Sequence, residues 1–109
     1  MPFFHLVTYV PLSHADAVRR ALAESGAGKI GKYDHCSFSS SGTGRFRPLA
    51  GADPYKGKVG DSAEIPEERI EVVVEEADLP QVLKAAKEAH PYETPAIHLW
   101  KMEDYTSYL

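Results

Sequence analysis

A single cysteine, Cys36, excludes an internal disulfide, so the fold must stand without covalent staples. No apolar run approaches the length of a membrane span. The opening "MPFFHLVTYV" lacks the basic residues and cleavage site of a secretory leader, and the expected compartment is the cytoplasm. A formal net charge of -4 gives no general attraction to phosphate backbones or anionic lipid, so neither a nucleic-acid nor a membrane partner is expected. Glycine is missing from both ends: all eight glycines lie between Gly26 and Gly60. The middle third is therefore expected to be rich in turns, and the flanks to be regular structure. Within 109 residues there is room for one domain, with 26–60 as a glycine-rich hairpin and loop insert.

The flanks carry clear periodicities. Residues 3–10, "FFHLVTYV", alternate aromatic and β-branched types as a strand ended by Pro11. Ser13 is placed to cap a helix with Asp16 in its first turn, and Val18, Ala21, Leu22 and Ser25 recur at helical spacing up to a Gly26 C-cap. Glu67–Glu75 sets Ile70, Val72 and Val74 against Glu71, Val73 and Glu75, a half-buried strand. Asp78 is expected to cap a second helix that buries Leu79, Val82, Leu83, Ala86 and His90 and stops at Pro91, before a last strand over 96–102. The tail "EDYTSYL" reads as a closing turn or a docking arm. In the middle, "CSFSSSGTGRFRPL" predicts two short strands, Cys36–Ser40 and Arg45–Leu49, around a glycine turn. Together these give an α+β, ferredoxin-like βαββαβ antiparallel sheet with two helices on one face and an extra glycine-rich hairpin.

"GAGKIGKY", residues 26–33, fits the dinucleotide fingerprint and nearly a P-loop. Its context is reversed: it follows a helix and precedes a strand, so it offers carbonyl oxygens where phosphate needs N–H groups. A glycine C-cap with a tight connection explains the same letters.

The ordered motifs "GAGKIGKYDHCSF", "GTGRFRPLAGADPYKGKVG", "ERIEVVV" and "AHPYETPA" resemble the inserted domain of the YqfO-type proteins over essentially the whole chain. That domain also occurs alone. The resemblance implies a PII-like, CutA-like fold and a homo-oligomer, a trimer being favoured. The metal-dependent hydrolase centre of the full-length relatives belongs to flanking sequence and has no counterpart in these residues. Thr94 departs from the second acidic residue usual after "HPYE", and Lys56 from an apolar one.

Two functional readings stand side by side. The favoured one is a small binding or regulatory module with a ligand cleft between the glycine-rich segment and the "HPYET" corner; its residues are Gly28, Gly31, Tyr33, Cys36, Gly42, Thr43, Gly44, Phe46, His90, Tyr92 and Glu93. The alternative is a metal-binding or metal-dependent hydrolase-related protein in which His35, Cys36, His90 and Glu93 hold a divalent ion such as Zn or Cu. No catalytic triad or cofactor box accompanies either, so an enzyme is not the first expectation. The serines of "SSSGTGRF" with Thr43 and Arg45 could also cradle an anion in a backbone nest. The bland readings are a His90 bonded to the last helix carbonyls, a small buried Cys36, a glycine turn at "SSSGTGRF", and a His5–His98 pair across neighbouring strands. Phe46, Tyr55 and Trp100 are assigned to core or subunit contacts.

Overall fold

A computed structural model describes residues 2–109. Strand β1 (Phe3–Pro11) leads through a 3-10 turn into helix α1 (Ala15–Ser25). Strands β2 (Phe38–Phe46) and β3 (Ala63–Glu75) follow, then helix α2 (Leu79–Ala89) and strand β4 (Ile97–Met102). All pairings are antiparallel in the order β2-β3-β1-β4, which is the expected ferredoxin-like sheet. No helix among the described residues is long and apolar enough to cross a membrane.

Alternation along the strands decides the core. Leu6 and Val10 of β1 and Ile70, Val72 and Val74 of β3 meet Val18 and Leu22 of α1 and Val82 and Ala86 of α2. These side chains are nearly all fully buried, so both helices cover one face of the sheet. The opposite face carries Phe3, His5, Val7 and Tyr9 with Arg69, Glu71, Val73, His98 and Trp100 and has no helix on it.

Helix α1 ends as expected: Gly26 takes φ 121°, and the Ala27 N–H reaches the Leu22 carbonyl at 3.0 Å. Both N-caps differ from expectation. Ser13 bonds His14 Nδ1 at 2.8 Å while His14 occupies the cap, and Asp78 holds the cap position of α2 without a side-chain bond. In each case the chain enters through a 3-10 turn, and the cap residue has ψ near zero (3° at His14, -8° at Asp78) in place of the extended backbone of a side-chain-capped start.

The larger correction concerns the middle third. The two short strands predicted for Cys36–Ser40 and Arg45–Leu49 are a single strand, β2, running through Gly42 and Gly44 without a turn. Neither glycine has a positive φ, so "SSSGTGRF" is neither the predicted turn nor an anion nest. β3 also begins earlier than Glu67, at Ala63. Pro66 is tolerated because β1 ends opposite Glu67, leaving β3 paired on one side only at that point.

"GAGKIGKY" is a connection that extends the sheet edge beyond β2. The Gly28 N–H donates to the Val73 carbonyl at 2.7 Å, and Cys36 N–H returns to the Gly28 carbonyl at 2.9 Å. Ile30 and Tyr33 exchange two backbone bonds around Gly31 at φ 57°, a tight two-residue turn. The motif follows a helix instead of opening one, and the start of α2 that meets Gly26 presents the Asp78 carboxylate and Gln81 there, so the phosphate motif lacks its strand–turn–helix context.

Candidate functional site

At the Tyr9 end of the helix-free face lies an open cleft of about 610 Å³. Its floor is the β2–β3 pair, and its walls are the 47–62 loop and the segment from Tyr92 to Thr94. α2 positions that last wall. The His90 N–H closes the helix on the Ala86 carbonyl, and Pro91 turns the chain out of it.

His90 is buried, with both ring nitrogens occupied. Nδ1 accepts the Tyr92 N–H at 3.2 Å, which makes Nε2 the protonated nitrogen that donates to the Tyr9 carbonyl at 2.7 Å. The bond thus reaches across to β1 rather than to the last carbonyls of its own helix. A neutral imidazole satisfies both contacts, and burial holds its pKa below the ordinary histidine value. The unfolded chain therefore takes up a proton below about pH 6.5 before the folded state does, and stability falls as the pH drops through that range. His90→Gln removes this titration, so its urea-unfolding stability should vary less between about pH 5 and 7 than that of the parent.

Tyr92 carries the orientation onward. Its hydroxyl donates to Glu67 Oε2 at 2.6 Å, and its ring stands 4.8 Å from His90, 6.1 Å from Phe46 and 6.2 Å from Tyr55. Burial, with the Glu67 bond second, pushes the hydroxyl pKa well above its usual value, so this group acts as a donor. Glu93 accepts the Asp53 N–H at 3.1 Å and ties the loop to the corner.

Glu67 needs the glycine opposite. A Cβ on Gly44 would sit 1.8 Å from Glu67 Oε1, whereas one on Gly42 would meet nothing within 4 Å. Gly44→Ala should thus displace the carboxylate, break the Tyr92 bond and cost about 1 kcal/mol net, with part of the loss offset by removing a strand glycine. Gly42→Ala should be neutral or stabilising. Urea melts of both, together with Gly44→Ala in a Tyr92→Phe background, check this: the two losses should overlap rather than add.

Of the residues expected at a ligand site, Gly42, Thr43, Gly44, Phe46, Tyr92 and Glu93 line this cleft, and His90 supports Tyr92 from behind. Gly28, Gly31 and Tyr33 lie in the connection after α1. Cys36, predicted for both ligand and metal, borders a separate shallow groove with His35, Arg19 and Arg20. The four metal candidates His35, Cys36, His90 and Glu93 are therefore not brought together, and no three His, Cys, Asp or Glu side chains among the described residues converge as a metal site. The His5–His98 pair does not form either. His98 stands opposite Val7, and His5 bonds Glu71 at 2.9 Å, with the Trp100 ring about 6 Å from each imidazole. Trp100 is 50% exposed and so is not core.

Sequence reasoning missed Glu67, Arg69 and Tyr9, all of which line the cleft. The signal available was the alternation itself: it puts Glu67, Arg69 and Glu71 on the face opposite Ile70, the one a two-layer fold leaves uncovered.

This sheet order, with two helices on one face and a walled cleft on the other, defines a CutA-like, PII-like α+β domain. Synechococcus elongatus CutA superimposes with a TM-score of 0.70 over 98% of this chain and 83% of its own, at 16% identity, and Bacillus subtilis GlnK with 0.63 over 94% and 87%, at 17%. At those identities the likeness concerns the fold alone. A Bacillus cereus protein related to NIF3 is much nearer, with a TM-score of 0.83 and 39% identity over 94% of this chain and 26% of its own. No protein-family model matches the chain. Among curated proteins, the "GTP cyclohydrolase 1 type 2 homolog" of Bacillus subtilis is 42% identical over 102 residues, 94% of this chain and 27% of its own length. That of Mycobacterium leprae is 47% identical over 96 residues, 88% of this chain and 25% of its own. Over nearly its whole length the chain is similar to one PII-like part of the YqfO-type, NIF3-related proteins. It spans about a quarter of the length of the curated relatives it matches.

Proposed function

We propose that this chain is a small, cytoplasmic, homo-oligomeric binding module, a trimer being favoured, that holds a small organic ligand with an aromatic or apolar body between β2 and the Tyr92 corner. The observation that carries the reading is the cleft of about 610 Å³, a size typical of small-molecule sites, onto which Phe46, Tyr55 and Tyr92 present rings. The hydroxyl of Ser40, which shares the strand face of Arg69 on the lining, is free of protein hydrogen bonds among the described residues. Residues far apart in the sequence meet there, as expected of a site built by the fold rather than by one loop.

The oligomer is supported by the unpaired outer edges of β2 and β4 and by Phe38 and Trp100, 66% and 50% exposed on the helix-free side. Light scattering should return about three times the 12.0 kDa chain mass; the mass of one chain refutes assembly.

Ligand binding is tested by saturation-transfer NMR with benzoate, indole and ATP. At least one should receive saturation from the parent protein and lose it in Ser40→Trp, which fills the cleft from an exposed strand position. Equal saturation in the two proteins, or none from any probe, overturns the reading.

A further inference from the structure

The buried polar or charged residues among those described are Thr8, Glu67 and His90. Thr8 donates its hydroxyl to the Ala96 carbonyl at 2.9 Å, and both nitrogens of His90 have partners. Glu67 is the remainder. It is 8% exposed, and although Oε2 receives the Tyr92 hydroxyl, no donor among the described residues reaches Oε1. Nor is Oε1 sealed, since Arg69 Nε is the one enclosed and unpartnered side-chain nitrogen or oxygen among the described residues. A nearly buried carboxylate thus keeps one oxygen open to the cleft, on the side cleared by the absent Gly44 side chain. Leaving such an oxygen without a donor is costly, and a ligand donor relieves that cost.

Arg69 lies two residues further along the same strand face, roughly 6.7 Å away at Cα. It lines the same cleft, with its guanidinium carbon 5.9 Å from the Tyr9 ring centre. Its Nε is 3.5 Å from Glu71 Oε2 but makes no hydrogen bond, and its terminal nitrogens have no acceptor among the described residues. The other carboxylate lining the cleft, Glu93, is engaged by the Asp53 N–H, and the Arg45 side chain pairs with Glu64. The cleft therefore offers one anionic oxygen without a donor and a guanidinium that is ion-paired with Glu71 through Nε while its terminal nitrogens keep no acceptor, beneath aromatic walls and with Lys56 also on the lining. A ligand with only a negative charge would set it against Glu67 Oε1, and one with only a positive charge would leave the terminal nitrogens of Arg69 without an acceptor.

Resting on the proposal that this cleft is a ligand site, we infer that its ligand is a small zwitterion of the α-amino-acid kind, whose ammonium is received by Glu67 and whose carboxylate is received by Arg69. The ligand body lies against Tyr55 and Tyr92. Both charge-assisted contacts have the residue types suited to them, and the guanidinium can grip a carboxylate with two parallel bonds.

Calorimetric titration at neutral pH with three molecules that share a phenylethyl body and differ in which charged groups they carry tests this: L-phenylalanine, phenethylamine and 3-phenylpropionate. L-phenylalanine should bind at least tenfold more tightly than either single-charge analogue. Glu67→Gln should narrow its advantage over 3-phenylpropionate, and Arg69→Gln its advantage over phenethylamine. Equal affinity for all three, or tightest binding of an analogue, overturns the zwitterion and leaves the cleft reading standing. No binding of any of them also overturns the zwitterion, while the saturation-transfer comparison with Ser40→Trp decides separately whether the cleft is a site. The probe comparison uses the unmodified protein, so the inference remains testable even if a variant fails to fold.

Discussion

Gly28→Ala should lower the unfolding free energy by about 3 kcal/mol, a large share of the roughly 5–15 kcal/mol that holds a domain of this kind together. Two costs combine at this position. The residue takes φ 83°, where a side chain is strained by about 1 kcal/mol. In addition, a Cβ there would stand 2.5 Å from the Cys36 carbonyl oxygen and 2.9 Å from its nitrogen. Those atoms are backbone, held by the Cys36 N–H bond to Gly28, so they cannot swing aside as a side chain would. Separating the two segments would sacrifice that bond and the Gly28 donation to Val73, and overpacking of this sort costs about a further 1–3 kcal/mol. Gly31→Ala is the control. Its φ is 57°, but its Cβ would meet nothing within 4 Å, so about 1 kcal/mol is expected. Urea melts of the two variants at one protein concentration check the difference; equal losses would place the whole effect in backbone preference.

His90→Ala should cost a similar amount, about 3 kcal/mol. The substitution empties a buried ring site and strips partners from the Tyr92 N–H and from the contact with the Tyr9 carbonyl. It should also loosen Tyr92, and with it the wall that holds Glu67 in place. His90→Gln retains a donor and an acceptor and should lose only about 1 kcal/mol. Thermal or urea unfolding of the pair separates the polar bridge from simple volume: if both variants lose equally, the hydrogen bonds contribute little and packing of the ring is what matters.

The regular flanks of the fold were legible because each element buries one face at its own period. Leu6 and Val10, Val18 and Leu22, Ile70 to Val74, and Val82 and Ala86 carry the pattern that identifies β1, α1, β3 and α2 and sets both helices on one side. What the pattern concealed was β2. Glycines in a serine-rich stretch favour a turn when only local preference is weighed. Gly44 is in the strand for a nonlocal reason, to admit the side chain of Glu67 from the neighbouring strand. Pro66 hid the start of β3 in the same way, since its tolerance depends on where β1 stops.

The site was half legible for a related reason. Gly42, Thr43, Gly44, Phe46, Tyr92 and Glu93 stand out locally and do meet at the cleft. Glu67 and Arg69 sit in "EERIEVVVE", where an amphipathic strand assigns every charge to water; only the sheet order reveals that their face is walled by the 47–62 loop and the Tyr92 corner. Cys36 and His35 precede β2 and lie on the other face of the β2–β3 pair from the cleft, so nearness in sequence to the glycines does not bring them to it. They belong to a groove beside α1, lined by Arg19 and Ala23, on the helix side of the sheet.

The central claim, that β2 and the Tyr92 corner form one ligand site, is tested most directly by an amide map of 15N-labelled protein titrated with benzoate and with indole. The account predicts that signals of Gly42, Gly44 and Phe46 move together with those of Tyr92 and Thr94 along one saturating curve, while Gly28, Gly31 and Tyr33 stay still. Movement confined to the Gly28–Cys36 connection, or to the strand around Trp100, would contradict it.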